Sequence, residues 1–474
     1  MISPQLGQRK FVASPPGEIV RLQDVQVGIE RLNLSLTATP QARRDIYFTL
    51  LYVLAFKVLK DILLFTALGD EIVVAKTDIV VVGGGPCGSF SALTAARRGA
   101  AVSVFEEHRE IGVPNHCAGH LSVKGLEQLG LSLPHEIIEN EIRGAVFYSP
   151  SGRKITVKRR FPVTTVVNRE LFDKHLSYLA KKSGVQYFLE SKVRSLLFSS
   201  GFVTGVSVKK GHTEKRVASN LVIDAEGFSS TLLKKIGLQT LRGSMVVKAV
   251  QAEVDRIDNV ENDLVEVYLG RKYAPGFFAW VIPKKDASAK IGLATQVGSP
   301  QECLARFMKT HPIASKKLCK SKITRLVFHP ISLGGPIPKT YSDGLLVVGD
   351  AASQVKPTTG GGVIVGMLCS KIAGDVAYNA VTNSDVSEHF LAQYQARWKE
   401  LLGFDFSVML RLRKMLNHLS DKKMEKLIQL CNTLGVDSAL ETFEDLDFQG
   451  RLLLPAISHP NLLIVLLYFM ISCL

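Results

Sequence analysis

Two hydrophobic rhythms alternate along most of the chain. DIVVVGGG (78–85) is an unbroken apolar run stopping at glycines, the pattern of a strand buried on both faces. SFSALTAARRG (89–99) then has helical spacing with a glycine at its end, and AVSVFEE (101–107) reads as a second strand. Strand, helix and strand in that order predict a parallel sheet. RELFDKHLSYLAKKSG (169–184) predicts an amphipathic helix, with Leu171, Phe172, His175, Leu176 and Leu179 on one stripe and Gly184 as its stop. Residues 240–300 change to a period of two: VVKAVQAEV, LVEVYLG, FFAWVIP and AKIGLAT predict an antiparallel sheet. GLLVVGDAAS (344–353) returns to the buried-strand pattern, and residues 388–446 read as mainly helical.

The ends depart from these rhythms. Residues 1–45 show no clear period. Residues 46–68 are strongly apolar, but Lys57, Lys60 and Asp61 interrupt them. A spanning helix needs about 20 apolar residues. Three readings stay open: a membrane-associated helix, a packed accessory helix, or a misassigned start with the working protein beginning near Val74. The tail NLLIVLLYFMISCL (461–474) is short for a span and reads either as a docked helix or as a membrane-surface anchor. The domain organisation expected is an N-terminal extension (1–75), a discontinuous nucleotide-binding part (76–240 and 325–385), an antiparallel-sheet substrate domain (241–324) and a helical C-terminal region (386–474).

Composition narrows the class. At 474 residues, 46% hydrophobic and 21% charged, the chain can bury a large core. The net charge of +15 suits an anionic surface. No helix-turn-helix, zinc-finger or ribonucleoprotein pattern accompanies it, so no nucleic-acid partner is expected. The seven cysteines are scattered, without a CxxC pair. That argues against a metal site, an iron–sulfur cluster and a disulfide framework, and for a reducing cytosolic compartment.

The chemistry concentrates at two glycine-rich turns. Gly83-Gly84-Gly85-Pro86-Cys87-Gly88 follows a buried strand and opens a helix. In such a turn Gly83 permits the tight bend, Gly85 lets backbone approach a pyrophosphate, and Gly88 allows close helix–strand packing. The phosphates would sit at the helix N-terminus. Glu106, ending the next strand, can accept hydrogen bonds from a ribose. Downstream, Gly349-Asp350-Ala351-Ala352 and Lys356-Pro357-Thr358-Thr359-Gly360-Gly361-Gly362 place a carboxylate after a strand and free N–H groups before a helix. The ribityl chain and flavin O2 of FAD want such contacts.

GGGPCG with Glu106, Asn168-Arg169-Glu170 before a helix, and GDAA followed by KPTTGGG together resemble the geranylgeranyl reductase family, most nearly its archaeal digeranylgeranylglycerophospholipid reductases. The resemblance runs from about Lys76 to Trp398. It implies an α/β fold of the para-hydroxybenzoate hydroxylase type: a Rossmann-like FAD-binding domain, an antiparallel-sheet substrate domain and a helical C-terminal region. It implies that Gly83, Gly85, Cys87, Gly88 and Glu106 form the dinucleotide turn and ribose contact. It places Arg169 near the adenylate side, the backbone of Val193 at adenine, Asp350 at the ribityl chain, and Gly361, Gly362 and Val363 at the flavin ring. The loop Cys117-Ala118-Gly119-His120 would lie against the flavin, with Gly119-His120 where the family often has Glu-Gly. Cys117 is the candidate catalytic residue, and otherwise only a lining group. Pro275-Gly276-Phe277-Phe278-Ala279-Trp280 resembles the family's Pro-Gly-x-Tyr-x-Trp motif with Phe278 for Tyr, so Phe278 and Trp280 are candidates for the isoprenoid pocket or simply core. Asp224-Ala225-Glu226-Gly227 with Ser230 resembles a further segment of these flavoproteins, with Glu226 for the usual Asp.

The activity implied is hydrogenation of C=C bonds in geranylgeranyl chains of prenylated glycerophospholipids, with hydride from reduced FAD. The reductant is open between NAD(P)H and a reduced ferredoxin, since no second dinucleotide fingerprint is visible. The place implied is the cytoplasm, peripheral to the inner face of the cell membrane. Two other readings stand beside it: a flavin-dependent monooxygenase of the same fold, and a non-enzymatic flavin-bound lipid-binding or electron-carrying protein.

Overall fold

A computed structural model describes residues 77–240, 243–441, 446–452 and 458–473. The apolar segment 46–68 and the proposed start near Val74 lie outside them. The described residues all belong to one compact unit within Asp70–Leu474.

The strand Ile79–Val82 is buried at every position and pairs in parallel with both Leu221–Asp224 and Val102–Phe105. A strand with two neighbours and both faces covered has no need of polar alternation, so its sequence is an unbroken apolar run. Gln186–Phe188 and Leu345–Val347 extend the sheet in parallel on either side, and Tyr341–Ser342 closes it as an antiparallel edge, making six strands. Helices α1 (Pro86–Arg97), α2 (Arg169–Lys182) and α3 (Val363–Thr382) cover one face. Gly374 of α3 faces α1: a Cβ there would stand 2.6 Å from Ser91 O, so the two helices approach at backbone distance.

The buried stripe of α2 is Arg169, Phe172, Asp173, Leu176, Ser177 and Ala180, whereas Leu171 is 40% exposed. The expected stripe is thus rotated, because the buried Arg169–Asp173 ion pair claims one turn of the inward face.

The second sheet has seven strands. Val246–Val254, Leu264–Tyr268, Ala279–Pro283 and Ala289–Thr295 form its middle, as the period of two predicts. It extends beyond residues 241–324 at both edges. Ile323–Ser332 pairs with Val246–Val254, and Gly144–Tyr148 with Lys154–Lys158 is added through a parallel pairing to Leu264–Tyr268. Ala289–Thr295 is buried at all seven positions, since the helix Pro300–Thr310 packs on the same sheet. The long helix α4 (Glu388–His418), α5 (Asp421–Leu434) and α6 (Pro460–Cys473) complete the C-terminal layer. No helix among the described residues is long and apolar enough to cross a membrane.

Candidate active site

A cavity of about 950 Å³ lies between the two sheets. Gly85, Cys87, Gly88, Cys117, Ala118, His120, Arg169, Asp350, Gly361, Gly362 and Val363 line it, together with Phe278 and Trp280. Four of the expected site residues stand behind that wall: Gly83, Glu106, Gly119 and Val193.

The first glycine turn is built as its spacing predicts. Gly83 has φ +95°, and a Cβ on it would meet Ala225 O at 2.4 Å; one on Gly88 would meet Gly83 O at 2.0 Å. Both are glycines because backbone lies there. Gly85 differs: nothing stands within 4 Å of its Cβ position, which faces open cavity. The N-terminus of α1 has no side-chain cap. Neither does that of α3, behind Gly362. By contrast α2, α4 and α5 are capped by Asn168, Ser387 and Ser420. Two uncapped helix N-termini facing one cavity leave N–H groups and positive dipole ends for an anionic or carbonyl-bearing ligand.

Glu106 is buried, with Oε2 accepting from Gly84 N at 2.7 Å and Oε1 from His108 N at 2.9 Å. Those bonds fix a carboxylate beside the turn. Val193 belongs to a hydrophobic cluster, and the neighbouring Ser191 N donates to Glu106 O at 2.8 Å. The strand that carries Val193 is therefore tied to Glu106 through the backbone. The Cys87 side chain points away from the cavity. Its Sγ lies within 2.8 Å of the Cβ positions of Gly349 and Gly366, and burial pushes the thiol up to about 12. It packs the helix against the GDAA turn, leaving only the Cys87 backbone for a ligand.

Asp350 accepts no hydrogen bond at its carboxylate among the described residues, and burial raises its pKa, against the pull of His329 and Arg169. A Cβ on Gly362 would lie 3.0 Å from its Oδ1. A carboxylate facing a cavity without donors suits a polyol. FAD would fit this set: its pyrophosphate at the α1 N-terminus, its ribose and ribityl hydroxyls at Glu106 and Asp350, and its flavin carbonyls at the N–H groups of Gly361–Val363 that open α3.

The Cys117 loop is held from several sides. Cys117 N donates to Asn115 Oδ1 at 3.1 Å, and Gly119 N approaches Cys117 Sγ at 3.4 Å. Gly119 has φ +71°, and a Cβ there would stand 2.3 Å from Val167 O, so this turn admits no side chain at that position. Arg169 pairs with both Asp173 oxygens at 3.0–3.1 Å. Burial works against its charge, but Asp173 and the Cys117 sulfur more than offset it, raising its pKa. His120 Nε2 meets Thr164 Oγ1 at 2.5 Å; burial, with Lys356 nearby, brings its pKa down to about 4. A neutral imidazole there is a hydrogen-bonding strut.

Trp280 lies over Gly292, whose Cβ position is 2.5 Å from the indole Cζ2, and its Nε1 is buried without a partner among the described residues. Phe277 stacks on Phe278 at 4.2 Å, and Phe278 meets Trp280 edge-on at 6.2 Å.

Sequence reasoning missed several residues. His329, on the Ile323–Ser332 strand, stacks on His116 at 5.4 Å, and the buried His116 Nδ1 has no partner among the described residues. Lys290, 2% exposed, donates to Ala118 O at 3.0 Å and Val167 O at 3.1 Å, and pairs with Glu139. The Lys356 loop is fastened from the C-terminal layer. Lys356 Nζ pairs with Asp447 Oδ1 at 2.7 Å, Thr358 bonds Gln449, and Arg413 Nε donates to Pro357 O at 2.9 Å. A lysine inside an alternating strand was the one local signal available for Lys290. The others become neighbours only on folding.

The chain matches the FAD-binding domain family over residues 76–374. It is 34% identical to a digeranylgeranylglycerophospholipid reductase of Methanopyrus kandleri, over 74% of this chain and 89% of that one. The corresponding enzyme of Methanococcus vannielii is 33% identical over 81% and 96%. Among solved structures, a geranylgeranyl bacteriochlorophyll reductase-like protein from Thermoplasma acidophilum superposes with TM-score 0.74 and 28% identity, covering 83% of this chain and 99% of that one. A flavin-dependent brominase, at TM-score 0.60 and 18% identity over 84% and 95%, shares the fold. The protein therefore belongs to the digeranylgeranylglycerophospholipid reductase family of FAD-binding flavoproteins.

Proposed function

We propose that this protein uses FAD to hydrogenate C=C bonds of geranylgeranyl chains in prenyl ether glycerophospholipids. One observation carries the reading. A single cavity has FAD-type contacts at one end, while Phe147, Val265, Val267, Phe278, Leu416 and Leu427 supply an apolar wall beyond them. Reduced FAD, when bound, supplies the hydride. The chain's own residues do the rest. Gly85, Gly88, Arg169 and the α1 N-terminus hold the pyrophosphate side. Glu106, Asp350 and Gly361–Val363 fix the remaining polar groups. Phe278 and Trp280 hold the alkene in a dry cavity, where placement accounts for much of the barrier lowering. Cys117, on the loop braced by Arg169 and Lys290, is the candidate proton donor.

The electron donor is NAD(P)H or a reduced ferredoxin-type protein, and the enzyme works at the cytoplasmic face of the membrane. The surface of α6 supports the second point. Ile464, Leu467, Met470 and Ile471 are 45–68% exposed, and Lys423 at its end donates to Ser472 O at 2.5 Å. An apolar stripe beside a cation suits an anionic lipid surface.

The test is anaerobic. The FAD-loaded protein is reduced with dithionite and given an unsaturated prenyl ether lipid, with flavin absorbance and lipid mass followed together. Flavin reoxidation with two hydrogens gained per double bond is expected. A flavin that stays reduced until oxygen is admitted would overturn the reading in favour of a monooxygenase.

A further inference from the structure

We propose that Arg413 and Asn417, one turn apart on α4, form a polar subsite that holds the phosphorylated glyceryl head of the lipid. The inference rests on the lipid-reductase reading and names which part of that substrate is read by which residues.

Both side chains line the same cavity as the flavin-type contacts, among the apolar Leu416, Leu419 and Leu427. Arg413 is 3% exposed. Its Nε donates to Pro357 O at 2.9 Å, one terminal nitrogen to Gly276 O at 3.3 Å and the other to Thr358 O, and the guanidinium lies 4.7 Å over the Phe277 ring. Those bonds use three of its N–H donors, and a guanidinium has five. No carboxylate is paired with it among the described residues. Burial alone lowers its pKa, to about 10, so it is still a cation at neutral pH. A buried charge answered only by carbonyls and a ring is costly, and an anion would offset that cost.

Asn417 gives an independent observation. Its Oδ1 is buried and has no donor among the described residues. An unsatisfied buried acceptor wants a hydroxyl. A cation with spare donors one helical turn from a lone acceptor matches a phosphate joined to a hydroxyl-bearing carbon chain. An isoprenoid hydrocarbon would satisfy neither group. Arg413 also bonds the Lys356 loop through Pro357 and Thr358, and the Phe277 turn through Gly276. Fixing the head there sets where the prenyl chain starts relative to both walls of the reaction site.

The experiment compares digeranylgeranylglyceryl phosphate with its dephosphorylated alcohol on the full-length, FAD-loaded protein. Binding is measured to the oxidised protein by tryptophan quenching, and turnover is measured anaerobically. The phosphorylated lipid is expected to bind at least about tenfold tighter, the scale of one charge-assisted hydrogen bond. Asn417→Asp, which sets a carboxylate against the phosphate, should erase most of that preference. Arg413→Gln should erase it too, and Arg413→Lys restore part of it. Equal binding of the two lipids, or a preference that survives all three variants, overturns the subsite. Inorganic phosphate competing as well as the phosphorylated lipid would overturn the lipid-head assignment and leave a free-phosphate site. Because binding is read without turnover, a clear preference with no reduction of either lipid would support the subsite while sinking the reductase reading.

Discussion

The Lys356–Asp447 pair gives the sharpest test of how the C-terminal layer holds the glycine-rich Lys356 loop. Asp447 is 1% exposed; it accepts from Lys356 Nζ at 2.7 Å and also from the Ser122 hydroxyl. Replacing Asp447 with Asn keeps the size but removes the charge, leaving the ammonium buried beside His120. Breaking a buried pair from one side costs about 3–5 kcal/mol, because the remaining charge has lost its compensation. Unfolding entropy of ~2 cal/mol/K per residue over roughly 400 residues is ~0.8 kcal/mol/K, so the loss corresponds to a Tm lower by about 4–6 °C. Lys356→Met should cost a similar amount. The double variant should be less damaging than the sum by about 0.5–3 kcal/mol, since neither charge is then stranded. Thermal unfolding of the FAD-loaded protein measures all four corners, and released-flavin fluorescence reports whether FAD is lost with the loop. Strict additivity would refute the coupling and, with it, the view that this pair clamps the loop.

Gly88→Ala should abolish FAD binding, because its methyl would lie 2.0 Å from the backbone oxygen of Gly83 and 3.3 Å from the Ala225 methyl; the purified variant is expected to be colourless in the visible range. Glu106→Ala removes a charged acceptor from Gly84 N and His108 N and should weaken FAD binding about 10–100-fold, read by titration of the apoprotein. His120, held at about 4 in the folded protein against 6.5 unfolded, binds its proton more readily in the unfolded chain. It therefore contributes stability that is full above pH 6.5 and declines as pH falls toward 4, and His120→Asn should flatten the stability profile in that window. Cys117→Ser tests the proton donor: as donor, the thiol's loss should lower kcat by at least tenfold with FAD retained, whereas a lining role predicts a change mainly in KM.

The nucleotide-binding half was legible because its signals are local. A strand buried on both faces reads as VVV, and a turn that carries backbone against backbone reads as glycine. Gly88 is determined by a contact within the turn itself and Glu106 by the end of the next strand, whereas the space at Gly83 is closed by Ala225 O from a distant strand end and its glycine is legible through the turn pattern. The period of two likewise announced the middle of the second sheet. Its outer strands were hidden, because Gly144–Tyr148 joins Leu264–Tyr268 from more than a hundred residues away, and nothing in either segment encodes the partner.

The site divides in the same way between sequence and folding. A glycine-rich loop before a helix is visible as KPTTGGG. That Arg413, Asp447 and Gln449 would hold it was decided only by tertiary structure, since each reaches it from a helix or turn with no motif of its own. His116 and His329 carry no motif linking them in sequence and stack only because a loop and a distant strand meet at the cavity. Backbone geometry leaves its mark on the residues that make it. Charge pairing and burial across the fold leave almost none, because many residue pairs could have met there and the packing of the two sheets selected these.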